Sequence, residues 1–161
     1  MLFRSPGTGK TTLARELAQR HAVPLICKDT IKEPLLDMLG SQLSSRALSD
    51  VSFAVMLALA KELLARGESL ILEGNFRAGE HEAALLGTLP ADRPEIVQLL
   101  CKADEEQRRA RLLRRAADPS RHAGHGDAQQ LEPGAACDSF LELPGERRLY
   151  RISSPSCEIV F

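Results

Sequence analysis

The chain has 161 residues, 43% hydrophobic and 27% charged, which suits one soluble globular domain with a single core. Its net charge of -1 argues against a globally basic nucleic-acid binder or a chain drawn to an acidic membrane surface. The four cysteines form no CxxC pair, which speaks against zinc, and Arg4, Pro6 and Gly7 interrupt any signal-peptide core, so a reducing, cytoplasmic setting is expected.

Residues 1–3 read as the end of a strand, shorter than the five or six residues usual for a central strand. The loop PGTGKTT follows, and then a helix over about Lys10 to Arg20, with Leu13, Ala14, Leu17 and Ala18 on one face. The run VPLICKD suits a buried parallel strand. DTIKEPLLDMLG reads as a helical segment interrupted by Pro34. From Ala47 to Arg66 the spacing of Leu48, Val51, Val55, Leu59 and Leu63 predicts a helix buried along that stripe, with Gly67 as a left-handed cap. Its most apolar part, Val51 to Ala60, is too short to span a bilayer. Ser69 to Glu73 and Ile96 to Cys101 read as further buried strands, and Asp104 to Ala117 as an arginine-rich helix. Residues 118–138 suit a loop or flap, and RRLYRI suits a last strand. Strands alternating with helices predict one α/β domain over residues 1–161 with a mostly parallel sheet.

PGTGKTT is the chemically most specific stretch. Glycines let backbone N–H groups turn inward around phosphates, and the helix that follows offers free N–H groups and a partial positive charge. Pro6, Gly7, Thr8, Gly9, Lys10, Thr11 and Thr12 are therefore the expected ATP-binding segment, with Lys10 on the β- and γ-phosphates and the Thr11 hydroxyl on Mg²⁺. A plain glycine turn capping a helix would explain the glycines but not Lys10-Thr11-Thr12 at this spacing. The first glycine of the pattern is replaced by Arg4, which costs on the order of 1 kcal/mol if that position needs positive φ.

PGTGKTTLA, CKDTIKEPLLDMLG, ILEGNFR, CKADEEQRRARLLRRA and RHAGHGD, in that order, resemble the small P-loop kinases of the AAA_33 group, relatives of zeta toxins, chloramphenicol phosphotransferase and the kinase domain of polynucleotide kinase. The resemblance covers roughly residues 1 to 150. It implies a three-layer P-loop NTPase fold of the nucleoside-kinase type, ATP and Mg²⁺ as cofactors, and phosphorylation of a hydroxyl. Relatives commonly add a helix after the last strand, so a truncated C-terminal end is expected. Related kinases hold the acceptor with a D-x-x-R element, here Asp29 and Lys32, and Asp29 is then the candidate general base. An N-cap role is the ordinary alternative for Asp29. Glu73 closes an apolar strand in the Walker B manner and is the second candidate Mg²⁺ ligand, partly through water, although strand-end acids are common. Asn75 and Arg77, at the same edge, are candidate substrate contacts. The family also places a lid in this region, about residues 104–127, where Arg115 and Arg121 are the expected phosphate-contacting pair; other arginines there suit a solvated face. His122, His125 and Asp127 also allow a metal reading, which the lid pattern makes unnecessary.

The expected function is an ATP-dependent phosphotransferase acting on a hydroxyl of a small molecule, nucleotide or nucleic-acid end. Two alternatives stay open: a non-catalytic or vestigial ATP-binding domain disabled at Arg4, and a zeta-toxin-like nucleotide-sugar kinase. No membrane partner is expected, and nucleic acid enters only as an acceptor end.

Overall fold

The computed structural model describes residues 2–3, 6–90, 95–119, 122, 143 and 148–153. Five strands, β1 (Leu2–Phe3), β2 (Leu25–Cys27), β3 (Ile71–Glu73), β4 (Val97–Lys102) and β5 (Arg148–Ser153), form one sheet in the order β2-β3-β1-β4-β5. Every pairing is parallel. The helices are α1 (Lys10–His21), α2 (Lys28–Leu39), α3 (Ser45–Ala65), α4 (Glu82–Leu86) and α5 (Glu105–Ala116).

The alternation of side chains along each strand creates the layers. Leu25, Ile71, Leu99 and Cys101 pack with Leu13, Ala14 and Leu17 of α1 on one face. Ile26, Leu72 and Leu100 point the other way, into a cluster with Phe53, Met56 and Leu57 of α3 and with Phe76. Helices thus cover both faces, giving the three-layer α/β sandwich expected. No helix among the described residues is long and apolar enough to cross a membrane.

The strand order fixes where a ligand can sit. After β1 the chain passes through α1 to β2, beyond β3; after β3 it returns to β4, on the far side of β1. Connections leaving β1 and β3 therefore diverge, and the carboxyl ends of these strands are where sheets of this kind bind ligands.

Two expectations need correction, and one helix is new. α2 is not interrupted at Pro34 but runs through it. The proline forfeits one backbone bond, and packing of α2 against α3 and of Ile31 into the core offsets that cost of about 3 kcal/mol. The stripe of α3 that faces the core is Leu48, Ser52, Phe53, Met56, Leu57 and Ala60, whereas Val51, Val55 and Leu59 are 40%, 39% and 48% exposed. This helix is apolar around most of its circumference, so periodicity alone does not choose the buried face. Ser52 sits in the core because its hydroxyl donates to the Leu48 carbonyl at 2.6 Å. Finally, α4 was not anticipated. Gly67 has φ 74°, as the expected left-handed cap requires, and the structure adds two N-caps: Ser44 accepts from the Ala47 N–H and Asp104 from the Gln107 N–H.

Candidate active site

The loop between β1 and α1 lies at the switch point. Gly7 and Gly9 have φ of 85° and 89°, the left-handed region that only glycine enters freely. Gly9 is the N-cap of α1 and no side chain caps the helix, so the first-turn N–H groups are oriented for an anion. A Cβ on Gly7 would lie 3.1 Å from both Cγ and the carbonyl oxygen of Arg108. Gly7→Ala is accordingly expected to cost about 1–3 kcal/mol, read as a lowered urea midpoint at unchanged m. Arg4 and Ser5 lie outside the described residues.

α5 backs this loop. Arg108 is buried, its guanidinium gripping Glu105 at 2.7 and 2.6 Å, while its stem covers Gly7. Arg111 Nη1 donates to the Gly7 carbonyl at 3.3 Å. Arg115 lies one turn further along the same face and is half-buried. Arg121 lies outside the described residues, as do His125 and Asp127. His122 contacts Asp37 Oδ1 through Nε2 at 3.0 Å.

Glu73, at the carboxyl end of β3, is 3% exposed and is the focus of the crevice. Lys10 Nζ stands 3.8 Å from its Oε1. The Thr11 hydroxyl donates to Oε2 at 3.3 Å, and the Cys27 thiol donates to the same oxygen at 2.7 Å. A cation and two donors thus compensate a buried carboxylate that would otherwise be expensive. The sequence pattern does not mark Cys27 as a site residue. The strand register, which sets Cys27 beside Glu73, is what brings it to the site. Burial first, then the charge and hydrogen bond of Glu73, push the thiol up to about 11, so it stays protonated as a donor.

This donor set fits Mg²⁺. Thr11 and Glu73 offer a hydroxyl and a carboxylate oxygen 3.3 Å apart, hard ligands of the kind Mg²⁺ takes one or two of while completing its shell with water and phosphate.

On the other side of Glu73, α2 starts directly after β2. Its N-cap is Cys27, so Asp29 is not the cap; it lies half-buried in the first turn. Lys32 follows on the same face and reaches Ser45 Oγ at 3.3 Å. Asn75 is half-buried, and Arg77 is exposed with Nη1 3.5 Å from Glu80, which Arg46 also holds at 3.2 Å. His81 Nδ1 lies 2.9 Å from the Arg77 N–H and 3.3 Å from the Arg77 carbonyl oxygen.

Sequence reasoning passed over Lys28. It is 7% exposed, its Nζ lies 4.9 Å from the centroid of the Phe53 ring, and no carboxylate among the described residues reaches it at ion-pair distance. Burial lowers it from 10.5 to about 8; Lys32 and Arg77 push the same way, against Asp29 and Glu73. Between those two values the unfolded chain binds more protons than the native one, so wild-type stability rises with pH through that window. Below it the burial of an ammonium is a standing cost. Lys28→Met is expected to stabilise the fold at pH 7 by about 1–3 kcal/mol and to flatten that rise, measured by urea unfolding from pH 7 to 10.

A parallel sheet in this order, with a glycine loop feeding α1 and an acid closing the neighbouring strand, defines the P-loop kinase fold. Residues 5–134 match the AAA_33 model, an AAA domain, and the chain belongs to that family. A candidate kinase from Chloroflexus aurantiacus is 28% identical, with a TM-score of 0.79 over 94% of this chain and 85% of its own. The Mycobacterium tuberculosis APS kinase CysC, solved with AMPPNP and APS, shares the fold at 17% identity and a TM-score of 0.57, over 96% of this chain and 86% of its own. The uncharacterized protein Rv2004c of Mycobacterium tuberculosis is 30% identical over 125 residues, which are 72% of this chain and 25% of that protein. The chain thus spans about a quarter of the length of the curated relative it matches.

Proposed function

We propose that this domain is an ATP- and Mg²⁺-dependent phosphotransferase acting on a hydroxyl of a small molecule or a nucleotide. The observation that carries the reading is the meeting of Lys10 and Thr11 with buried Glu73 at the carboxyl end of β3. A glycine turn that merely capped a helix would need neither the lysine nor the acid.

In this reading the Gly7–Gly9 loop and the N–H groups of α1 receive the phosphates, and Lys10 neutralises charge on the moving phosphoryl group. Thr11 and Glu73 hold Mg²⁺, which supplies electrophilic assistance at the phosphate oxygens when bound. Asp29 takes the proton of the attacking hydroxyl; Lys32, Asn75 and Arg77 position the acceptor. Arg111 and Arg115 supply further positive charge from the α5 side, and Arg121 keeps the phosphate-contacting role that the family resemblance implies. The free thiols of Cys27 and Cys101 fit the cytoplasmic setting expected from the sequence.

The test is ADP formation by purified protein with Mg-ATP across an acceptor panel of polyols, sugar acids, nucleosides, nucleotide sugars and 5′-hydroxyl oligonucleotides. Acceptor-dependent ADP release that disappears in Asp29→Asn supports the reading. ADP release that no acceptor stimulates, or that Asp29→Asn leaves intact, overturns it.

A further inference from the structure

Lys28 is a buried cation at this edge of the sheet that the functions assigned above do not use. Its ammonium is nine-tenths buried without a carboxylate partner among the described residues, resting instead on the face of Phe53. It stands at the first residue of α2, a helix whose N-cap Cys27 makes no side-chain cap bond, so the helix dipole adds positive potential at the same point. Lys32 lies one turn on along the same face, and Arg77 approaches from the end of β3; both act electrostatically on Lys28. The acids nearby are largely committed: Glu73 to Lys10, Thr11 and Cys27, and Glu80 to Arg46 and Arg77. Phe53 is itself fixed by Phe76, with ring centroids 5.3 Å apart, and by His81 at 4.1 Å, so the lysine rests on a rigid platform. A buried cation with no carboxylate at ion-pair distance lowers stability, and a group so perturbed beside a site is a candidate for ligand binding.

We propose that the acceptor carries an oxyanion, a carboxylate or a phosphate, beside the hydroxyl that is phosphorylated, and that Lys28 binds that oxyanion, supported by Lys32, Arg77 and the N-terminus of α2. This rests on the phosphotransferase reading and narrows it from any hydroxyl compound to anionic ones. Lys10 serves the nucleotide on one side of Glu73; Lys28 serves the acceptor on the other. Neutral polyols leave the Lys28 charge uncompensated and are poor acceptors. Binding favours the charged lysine, so acceptor affinity falls as pH rises through about 8, against a background set by Asp29, Glu73, Lys32, Arg77 and His81.

The experiment saturates the phosphate loop with Mg-AMPPNP and then adds inorganic phosphate, gluconate or, as the neutral match, sorbitol. Lysine ¹³Cε shifts follow the Lys28 titration, and calorimetry follows binding. The Lys28 midpoint, about 8 in the free protein, is expected to move up by about half a pH unit or more with phosphate or gluconate and to stay put with sorbitol. Whichever anion moves it distinguishes the phosphate from the carboxylate source. Lys28→Met is expected to weaken that anion by about tenfold or more, while AMPPNP affinity stays within about twofold; Lys28→Arg retains the anion. A raised melting temperature for Lys28→Met verifies that the variant is folded. The proposal is overturned if neither anion moves the midpoint, if sorbitol moves it equally, if Mg-AMPPNP alone accounts for the whole movement, or if Lys28→Met binds the anion as the wild type does. Failure of AMPPNP itself to bind counts against the phosphotransferase reading instead, and the anion arms still report on Lys28.

Discussion

Lys10→Met is expected to lower phosphoryl transfer by about 10²–10³ in kcat, measured as acceptor-dependent ADP release. The lysine is buried at the start of α1, where its ammonium stands between the glycine loop and Glu73. Methionine keeps the stem's packing and removes only the charge. Charge that builds on a transferring phosphoryl group in a water-poor crevice then lacks its fixed counter-charge. The change also leaves Glu73 buried with hydrogen bonds from Thr11 and Cys27 but no cation, which costs about 1–3 kcal/mol of stability. The two effects separate experimentally. A Mg²⁺-bound nucleotide returns positive charge to the crevice, so Mg-AMPPNP restores part of the lost melting temperature without restoring turnover. Full turnover in a folded Lys10→Met protein would remove Lys10 from the chemistry.

Glu73→Gln is expected to reduce turnover by about 10²–10³ as well, for a different reason. The side chain keeps its size, and its remaining carbonyl oxygen still accepts from Thr11 or from Cys27. What disappears is the carboxylate that makes the Thr11 pair a hard-cation site. The signature is therefore in Mg²⁺ dependence: half-saturation rises by about tenfold or more, while AMPPNP without metal binds at least as well as to wild type, since the repulsion between Glu73 and the phosphates is gone. An unchanged Mg²⁺ requirement would show that Glu73 only anchors Lys10.

The legible parts of this molecule were those where one short segment carries its own physical reason. Gly7 and Gly9 do occupy positive φ, Lys10 does open a helix, and Glu73 does close a buried strand beside that loop. Alternation of short apolar runs with helices was enough for the α/β class and the parallel sheet, and the family resemblance supplied the three-layer arrangement. What escaped depended on pairing between distant segments. Cys27 became part of the site only because β2 and β3 register it against Glu73. Lys28 was passed over because a lysine between a strand and a helix looks like an exposed charge; the platform that buries it, Phe53, comes from α3. In α5, the arginine-rich pattern pointed to Arg115 but did not identify the residues that meet Gly7, which are Arg108 through its stem and Arg111 through its guanidinium. The wrong buried face of α3 has a similar origin, since two apolar stripes compete on one helix and only tertiary packing selects between them.

The central claim is that the loop from Pro6 to Thr12 holds a nucleoside triphosphate through Lys10, across from Glu73. Calorimetric titration of Mg-AMPPNP into the wild-type protein and into Lys10→Met tests it most directly. The account predicts saturable binding of one nucleotide per chain, weakened by about tenfold or more in the variant. Binding of equal strength in both proteins, or no binding in either, would contradict it.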